Sequence, residues 1–289
     1  MRLYVTVASM AIPSRAVVEN IPVISARDPD VSVHFPPGFE DRYEVFSYRN
    51  AVTILRHTCG AEFQEIIQAL VEFRIRTDNI TTSGGNKSKI AIGMETLLKP
   101  RGWNETRITG DLHITRRTTS KVGRTLKTGK NKGTTKYESK LVEEAYRIPG
   151  FVDGHKIDFV KGRVAFDMEW NSKDQTFDRD LYAIRAFYET NIVTAGVLLT
   201  RSSDLARLFA EIQKRTDIPD FKQKYGASTT WIEKLLSRLD AGRGGGCPIL
   251  VIGIKSAVVS DFDAWKATHP ARRDSTFTLD DEPMDPEDE

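Results

Sequence analysis

Three carboxylates stand close together in the stretch His155 to Arg179: Asp158, then nine residues later Asp167, then Glu169 after Met168. Acids gathered this tightly repel one another and stabilise nothing by themselves. They become favourable around a hard cation, because Mg²⁺ is held by one or two carboxylates together with waters and phosphate oxygens. Such an ion polarises a phosphodiester, eases ionisation of an attacking water and steadies the departing oxygen. The chemistry open to this set is therefore metal-assisted hydrolysis of a phosphate ester. Its plain alternative is a solvated acidic edge that pairs with Lys156.

The elements that must position these groups can be read from periodicity. From Val164 to Trp170 apolar and other residues alternate: Val164, Phe166, Met168 and Trp170 on one side, Ala165, Asp167 and Glu169 on the other. Period two predicts a strand with one buried face and the acids on the opposite one. Lys156 to Val160 alternates as well, and Lys161-Gly162 is suited to a two-residue hairpin turn. That register sets Asp158 opposite Ala165 and Lys156 opposite Asp167, so Lys156, Asp158, Asp167 and Glu169 share a face. A slip of one residue would scatter them.

The polar loop 171–176 follows, and Thr176 or Asp178 is placed to cap a helix starting near Arg179. Leu181, Ile184 and Phe187 or Tyr188 give that helix a buried stripe. Asn191 to Thr200 is a nearly continuous apolar run, the pattern of a strand covered on both faces. Strand, helix, strand in this order predicts a right-handed crossover. Further helices are predicted over Gly60–Phe73, Ile90–Leu98, Lys140–Ile148, Asp204–Ile212 and Thr229–Leu239. A last buried strand follows Pro248 after three consecutive glycines, which form either a turn or a close approach to a ligand. The Ser83–Lys89 segment lacks the spacing of a phosphate-binding P-loop.

Composition narrows the class. The chain has 289 residues, 39% hydrophobic and 28% charged, ordinary for a soluble globular protein. No apolar run reaches the roughly 18 residues of a membrane span, and the N-terminus reads as mature sequence rather than a signal peptide. Two distant cysteines, Cys59 and Cys247, suit a reducing, cytoplasmic setting. The five histidines show no paired ligand spacing for zinc. The net charge of +2 hides seven acids in residues 280–289, so the rest carries +9 by subtraction. Between Arg116 and Lys136 there are eight basic residues and no acid. Such a stretch cannot order itself through a core, and is expected to be a mobile arm or loose hairpin that follows a nucleic-acid backbone.

Asp158, nine residues on, then Asp167-Met168-Glu169 resembles the PD-(D/E)xK nuclease signature. VAFDMEWNSKDQTFDRDL, with the later GVLLTR and GRGGGCPILVIGI, is similar to the BglII-type restriction endonucleases, related to BamHI. The resemblance covers roughly residues 45–255 and implies an α/β fold with a central mixed β-sheet flanked by helices, the restriction-endonuclease-like core. Around that core a single nuclease domain is expected over 1–270, with the basic arm or hairpin 107–137 inserted, and composition marks 271–289 as an acidic, disordered tail. The resemblance further implies a Mg²⁺-dependent type II enzyme that cuts double-stranded DNA at a short palindrome as a homodimer.

On matching positions, Asp158 and Asp167 would be metal ligands. Glu169, a third candidate ligand, stands where most of the superfamily has lysine, which leaves the general base open between Glu169, Lys156 and Lys173. A register of Asp158 with Glu169 and Asn171 keeps the same face and stays open too. Asn171, Lys173 and Arg179 are candidate DNA contacts near the acids, and Arg116, Arg117, Lys121 and Arg124 are candidates on the arm. Two other readings remain: a repair or junction-resolving nuclease of the same superfamily, and a non-catalytic DNA-binding module whose acids merely pair with Lys156 and Arg163.

Overall fold

The computed structural model describes residues 25–279 apart from 83–87 and 154. Eight strands are described: β1 Tyr43–Tyr48, β2 Asn104–Thr106, β3 Thr109–Thr125, β4 Thr135–Asp153, β5 Ile157–Lys161, β6 Val164–Met168, β7 Ala195–Arg201 and β8 Ile249–Ile254. The helices are α1 Phe39–Arg42, α2 Ala51–Thr58, α3 Gly60–Glu72, α4 Thr77–Thr81, α5 Lys89–Leu98, α6 Thr176–Glu189, α7 Leu205–Arg215, α8 Phe221–Tyr225, α9 Ile232–Asp240 and α10 Phe262–Thr268.

Six strands form one mixed sheet in the order β1-β8-β7-β6-β5-β2. Strands β6, β7 and β8 run parallel, while β1, β5 and β2 join antiparallel. Every residue of β6, β7 and β8 is buried. Alternate residues enter two different cores, which is why β7 and β8 read as unbroken apolar runs. Val197, Leu199, Leu250 and Ile252 pack with α3, α5 and α7 on one side. Leu198, Ile249 and Val251 pack with α6 and α9 on the other. The predicted strand–helix–strand unit is β6, α6, β7, with β6 and β7 parallel neighbours. At Gly196 on β7, an added Cβ would lie 2.6 Å from Ile184 Cγ2, so only glycine lets α6 come this close to the sheet.

Three expectations are corrected. The strand Val164–Trp170 does not leave one face to solvent: α6 and α9 cover the side on which Ala165 lies, so the acids of that side are buried. The helix expected over Lys140–Ile148 is part of β4. Leu141, Val142, Ala145 and Tyr146 fit helical spacing equally well, and the long pairing with β3 decides for strand. Helix α6 begins at Thr176 rather than near Arg179, and no side chain caps it; Asp178 instead bonds Arg238 and Arg243. Strands β3 and β4 form a separate antiparallel ribbon that carries the basic stretch. Residues 271–279 lie against the body, where Phe277 packs on Phe209 and Phe221. Residues 280–289 and the loop 83–87 fall outside the described residues.

Candidate active site

The β5–β6 hairpin pairs Phe159 with Phe166, Val160 with Ala165 and Lys161 with Val164. The loop is thus Gly162-Arg163, one residue later than expected, with Gly162 at φ 52°, a conformation glycine supplies without strain. The register moves by two residues, and a two-residue move keeps every side chain on its face. Continued one step, it sets Asp158 opposite Asp167, and the Asp158 N–H donates to Asp167 Oδ1 at 3.4 Å. Lys156, expected opposite Asp167, lies before the start of β5 and bonds Glu105 Oε1 of β2 at 2.6 Å. It is not part of the acidic group.

Glu169 continues β6 by donating its N–H to Leu199 O at 2.9 Å. A fourth carboxylate joins from α6: Asp180, which is 1% exposed, beside Asp167 at 3% and Glu169 at 8%. The cation that meets them is Arg179, whose guanidinium donates to Asp180 Oδ1 at 2.8 Å and to Glu169 Oε1 at 3.2 Å. Among the described residues one half-exposed arginine faces four carboxyls, so ionising all of them would leave excess negative charge in a region with little water.

The ionisation of the acids follows from that arrangement. Burial, followed by the charges of Asp180, Asp158 and Glu169, holds the Asp167 carboxyl well above the usual range. Burial and then the charge of Asp180 push Glu169 up to about 8, against the opposing pull of a Ser172 hydrogen bond and Arg179. Asp180 is raised by burial and held back by Arg179. A proton shared between Glu169 and Asp180 is the natural outcome for two buried carboxyls this close. Asp180 Oδ2 is buried without a hydrogen-bond partner among the described residues.

These observations fit a hard cation in donor type and charge: oxygen ligands only, in surplus, with an orphaned carboxylate oxygen among them. Among the described residues, no three acids, histidines or cysteines converge as placed to hold an ion. The residues that would hold one are Asp158, Asp167 and Glu169.

Behind the site stands Arg201 at the end of β7, fully buried, and among the described residues no acid lies beside it. It donates to Thr230 O at 2.7 Å, to Thr229 Oγ1 and to Tyr225 O, and lies 4.2 Å from the centre of the Trp231 ring. Burial lowers its pKa to about 9. The segment it holds pairs in turn with the loop after β6: Thr230 N–H donates to Ser172 O at 2.9 Å, and Asp174 N–H to Ser228 O at 3.3 Å. Lys173 is exposed on that loop, with Nζ 3.4 Å from Ser228 Oγ, and Asn171 is half-buried just after Trp170.

On the ribbon, Arg116 bonds Glu144 at 2.7 Å and Arg117 bonds Glu143 at 2.9 Å, while Lys121 and Arg124 are exposed further out. Sequence reasoning missed Asp180 and Arg201. Asp180 had a signal: it occupies the apolar slot between Phe177 and Ile184 in the α6 stripe, where an acid is out of place.

A scan against protein-family models matches residues 43–254 to Endonuc-BglII, restriction endonuclease BglII/BglIII. The chain belongs to the BglII/BglIII restriction endonuclease family. The match starts at the first residue of β1 and stops at the last residue of β8, so it spans the whole sheet and the ribbon. No curated protein matches the chain. Family membership makes the protein a nuclease with DNA as its substrate, and the mixed sheet flanked by helices agrees with the restriction endonuclease fold. Among the described residues no helix is long and apolar enough to cross a membrane.

Proposed function

We propose that this member of the BglII/BglIII family is a Mg²⁺-dependent type II endonuclease that hydrolyses both strands of DNA at a short palindrome as a homodimer in the cytoplasm. The observation that carries the reading is the group of half-buried Asp158 with buried Asp167, Glu169 and Asp180, faced among the described residues by Arg179. As a structural arrangement it costs stability; as a site for a divalent cation on a phosphodiester it is favourable.

When bound, the ion supplies charge that polarises the scissile phosphate and steadies the departing oxygen. Asp158 and Asp167 would hold it from adjoining strands, with Glu169 further along the continuation of β6 on the face of Asp167. Without the cation, Glu169, raised to about 8 by burial and the charge of Asp180, is mostly protonated at neutral pH. With positive charge nearby it ionises, and its carboxylate orients the attacking water and takes its proton. Arg179 keeps Glu169 and Asp180 in place through two acceptors. Arg201, by fixing the segment 228–230, holds the loop from which Asn171 and Lys173 reach phosphate or base edges.

The ribbon supplies the nonspecific part of DNA binding. Lys121 and Arg124 contact the backbone, with Arg116 and Arg117 exchanging Glu144 and Glu143 for phosphates. A two-fold dimer matches a palindromic site.

Incubation with plasmid and Mg²⁺, followed by sequencing of the ends, tests the reading. Discrete double-strand ends at one repeated sequence are expected. Preferential cleavage of branched DNA, or absence of cleavage with any divalent metal, rejects it.

A further inference from the structure

The loop between β6 and α6 carries Asn171 and Lys173, and the first turns of α6 carry Arg179 and Asp180. One short stretch therefore places two candidate DNA contacts and part of the acidic group. It has little of its own to hold it. No side chain caps α6, and the leading N–H groups close back on the loop: Thr176 donates to Lys173 O at 3.0 Å and Phe177 to Asp174 O at 3.1 Å. Loop and helix start are thus one folded unit, and whatever fixes Asp174 and Asp178 fixes Lys173 and Arg179 with them.

What fixes them comes from α9. The Arg238 guanidinium donates through Nη2 to Asp174 Oδ2 and through Nε to Asp178 Oδ2, both at 3.2 Å, so it spans the point where α6 begins. Its Nη1 donates to Lys234 O at 2.9 Å, which ties the group to its own helix. The side chain is 13% exposed, with Cζ 5.9 Å from the centre of the buried Phe177 ring. A planar guanidinium offers donors in a rigid fork, so acceptors shared by it are held at a set separation; the single ammonium of lysine has no fork. Lys234 also approaches Asp174, at 3.6 Å, and Arg243 bonds Asp178 at 2.5 Å. Each carboxylate therefore keeps a cation when Arg238 is replaced, and what is lost is the bridge.

We infer that Arg238 is a positioning residue that sets discrimination between the recognised DNA sequence and its near neighbours, by holding the 171–178 segment in one conformation. The inference rests on the reading that Asn171 and Lys173 meet DNA in a nuclease, and it supplies the residue that fixes their placement. Base readout needs donors and acceptors set in front of the base edges. A rigid loop leaves its polar groups unpaired against a wrong base and suffers for it, whereas a loop free to adapt finds other partners. Arg238 acts through Asp174 and Asp178 rather than on DNA or the reacting atoms.

The test compares kcat/KM of the full chain on duplexes carrying the recognised sequence, known from the plasmid ends, and the same sequence changed at one base pair. Amide hydrogen exchange is read in parallel. One wrong base pair is worth roughly 5- to 150-fold. Arg238→Gln is expected to shrink that ratio at least fivefold at one or more positions. It should also speed exchange over 171–178 at least tenfold, with 195–201 and 249–254 as in wild type. Arg238→Lys, which keeps the charge without the fork, should stay closer to Arg238→Gln than to wild type. Asp174→Asn opens the loop end of the same bridge and should shift the ratio the same way, which keeps the test decisive if Arg238→Gln does not fold. On α7, Arg215→Gln removes a comparably buried ion pair with Glu211, and its ratio should match wild type. Unchanged discrimination in the bridge variants, a lysine variant equal to wild type, or an equal loss in Arg215→Gln overturns the inference and leaves the nuclease reading standing. A wild type that cuts no DNA defeats that reading and takes the inference with it.

Discussion

Replacing Gly196 by Ala tests whether α6 must lie as close to the sheet as it does. The added methyl would stand 2.6 Å from Ile184 Cγ2 and 3.3 Å from its Cδ1, where ordinary contact is 3.4–4 Å. Helix and strand must separate by about 1 Å, and overpacking of this kind costs about 1–3 kcal/mol. At roughly 2–4 °C per kcal/mol for a chain of this size, Tm should fall by about 2–12 °C. Arg179 and Asp180 ride on the same helix, and a misplacement of about 1 Å can cost roughly 100-fold in rate. Plasmid cleavage should therefore fall further than the stability loss explains. Ile184→Ala alone removes a buried side chain and costs about 2–5 kcal/mol. In the double variant the methyl has room, so that variant's loss should be less than the sum of the two single losses by about 1 kcal/mol or more. Strictly additive losses, with cleavage by Gly196→Ala unchanged, would refute the argument.

Other outcomes follow from the same geometry. Glu169 has its ordinary 4.5 raised to about 8; a carboxyl raised on folding stabilises the fold fully below 4.5 and loses that contribution as pH climbs through about 8. In chelator, urea unfolding should show lower stability at pH 8 than at pH 5, by a few kcal/mol and at most about 5, with Glu169→Gln flattening the profile; an equally steep variant contradicts this. Arg201→Met strips donors from the carbonyls of Thr230 and Tyr225, each costing about 1–3 kcal/mol when buried, so a variant as stable as wild type in urea would count against that role. Deleting residues 116–136 should weaken DNA binding and flatten its dependence on salt, and an unaltered salt slope in titrations would reject the ribbon's part.

Much of the site was legible because it depends on parity. The placement of Asp158 and Asp167 on one face survived a wrong turn position, since the error was two residues and the strand period is two. The apolar runs of β7 and β8 announced strands covered on both sides. Residues whose partners come from afar were hidden. Asp180 stands out in the apolar stripe of α6, but the acids it faces come from the sheet and show only once the two pack, and Arg201 looks like the polar end of a strand until the segment 225–231 closes over it. In the same way, LVEEAYRI carries both helical and strand spacing, and only pairing with β3 chooses between them.

The claim on which all of this rests is that Asp158 and Asp167 act together in hydrolysis. Its most direct measurement is Asp158→Ala assayed with Mg²⁺ for plasmid cleavage and, in parallel, for DNA binding. Cleavage lost by at least a hundredfold while affinity stays within a few-fold of wild type is the predicted result; a variant that cuts at the wild-type rate contradicts the account.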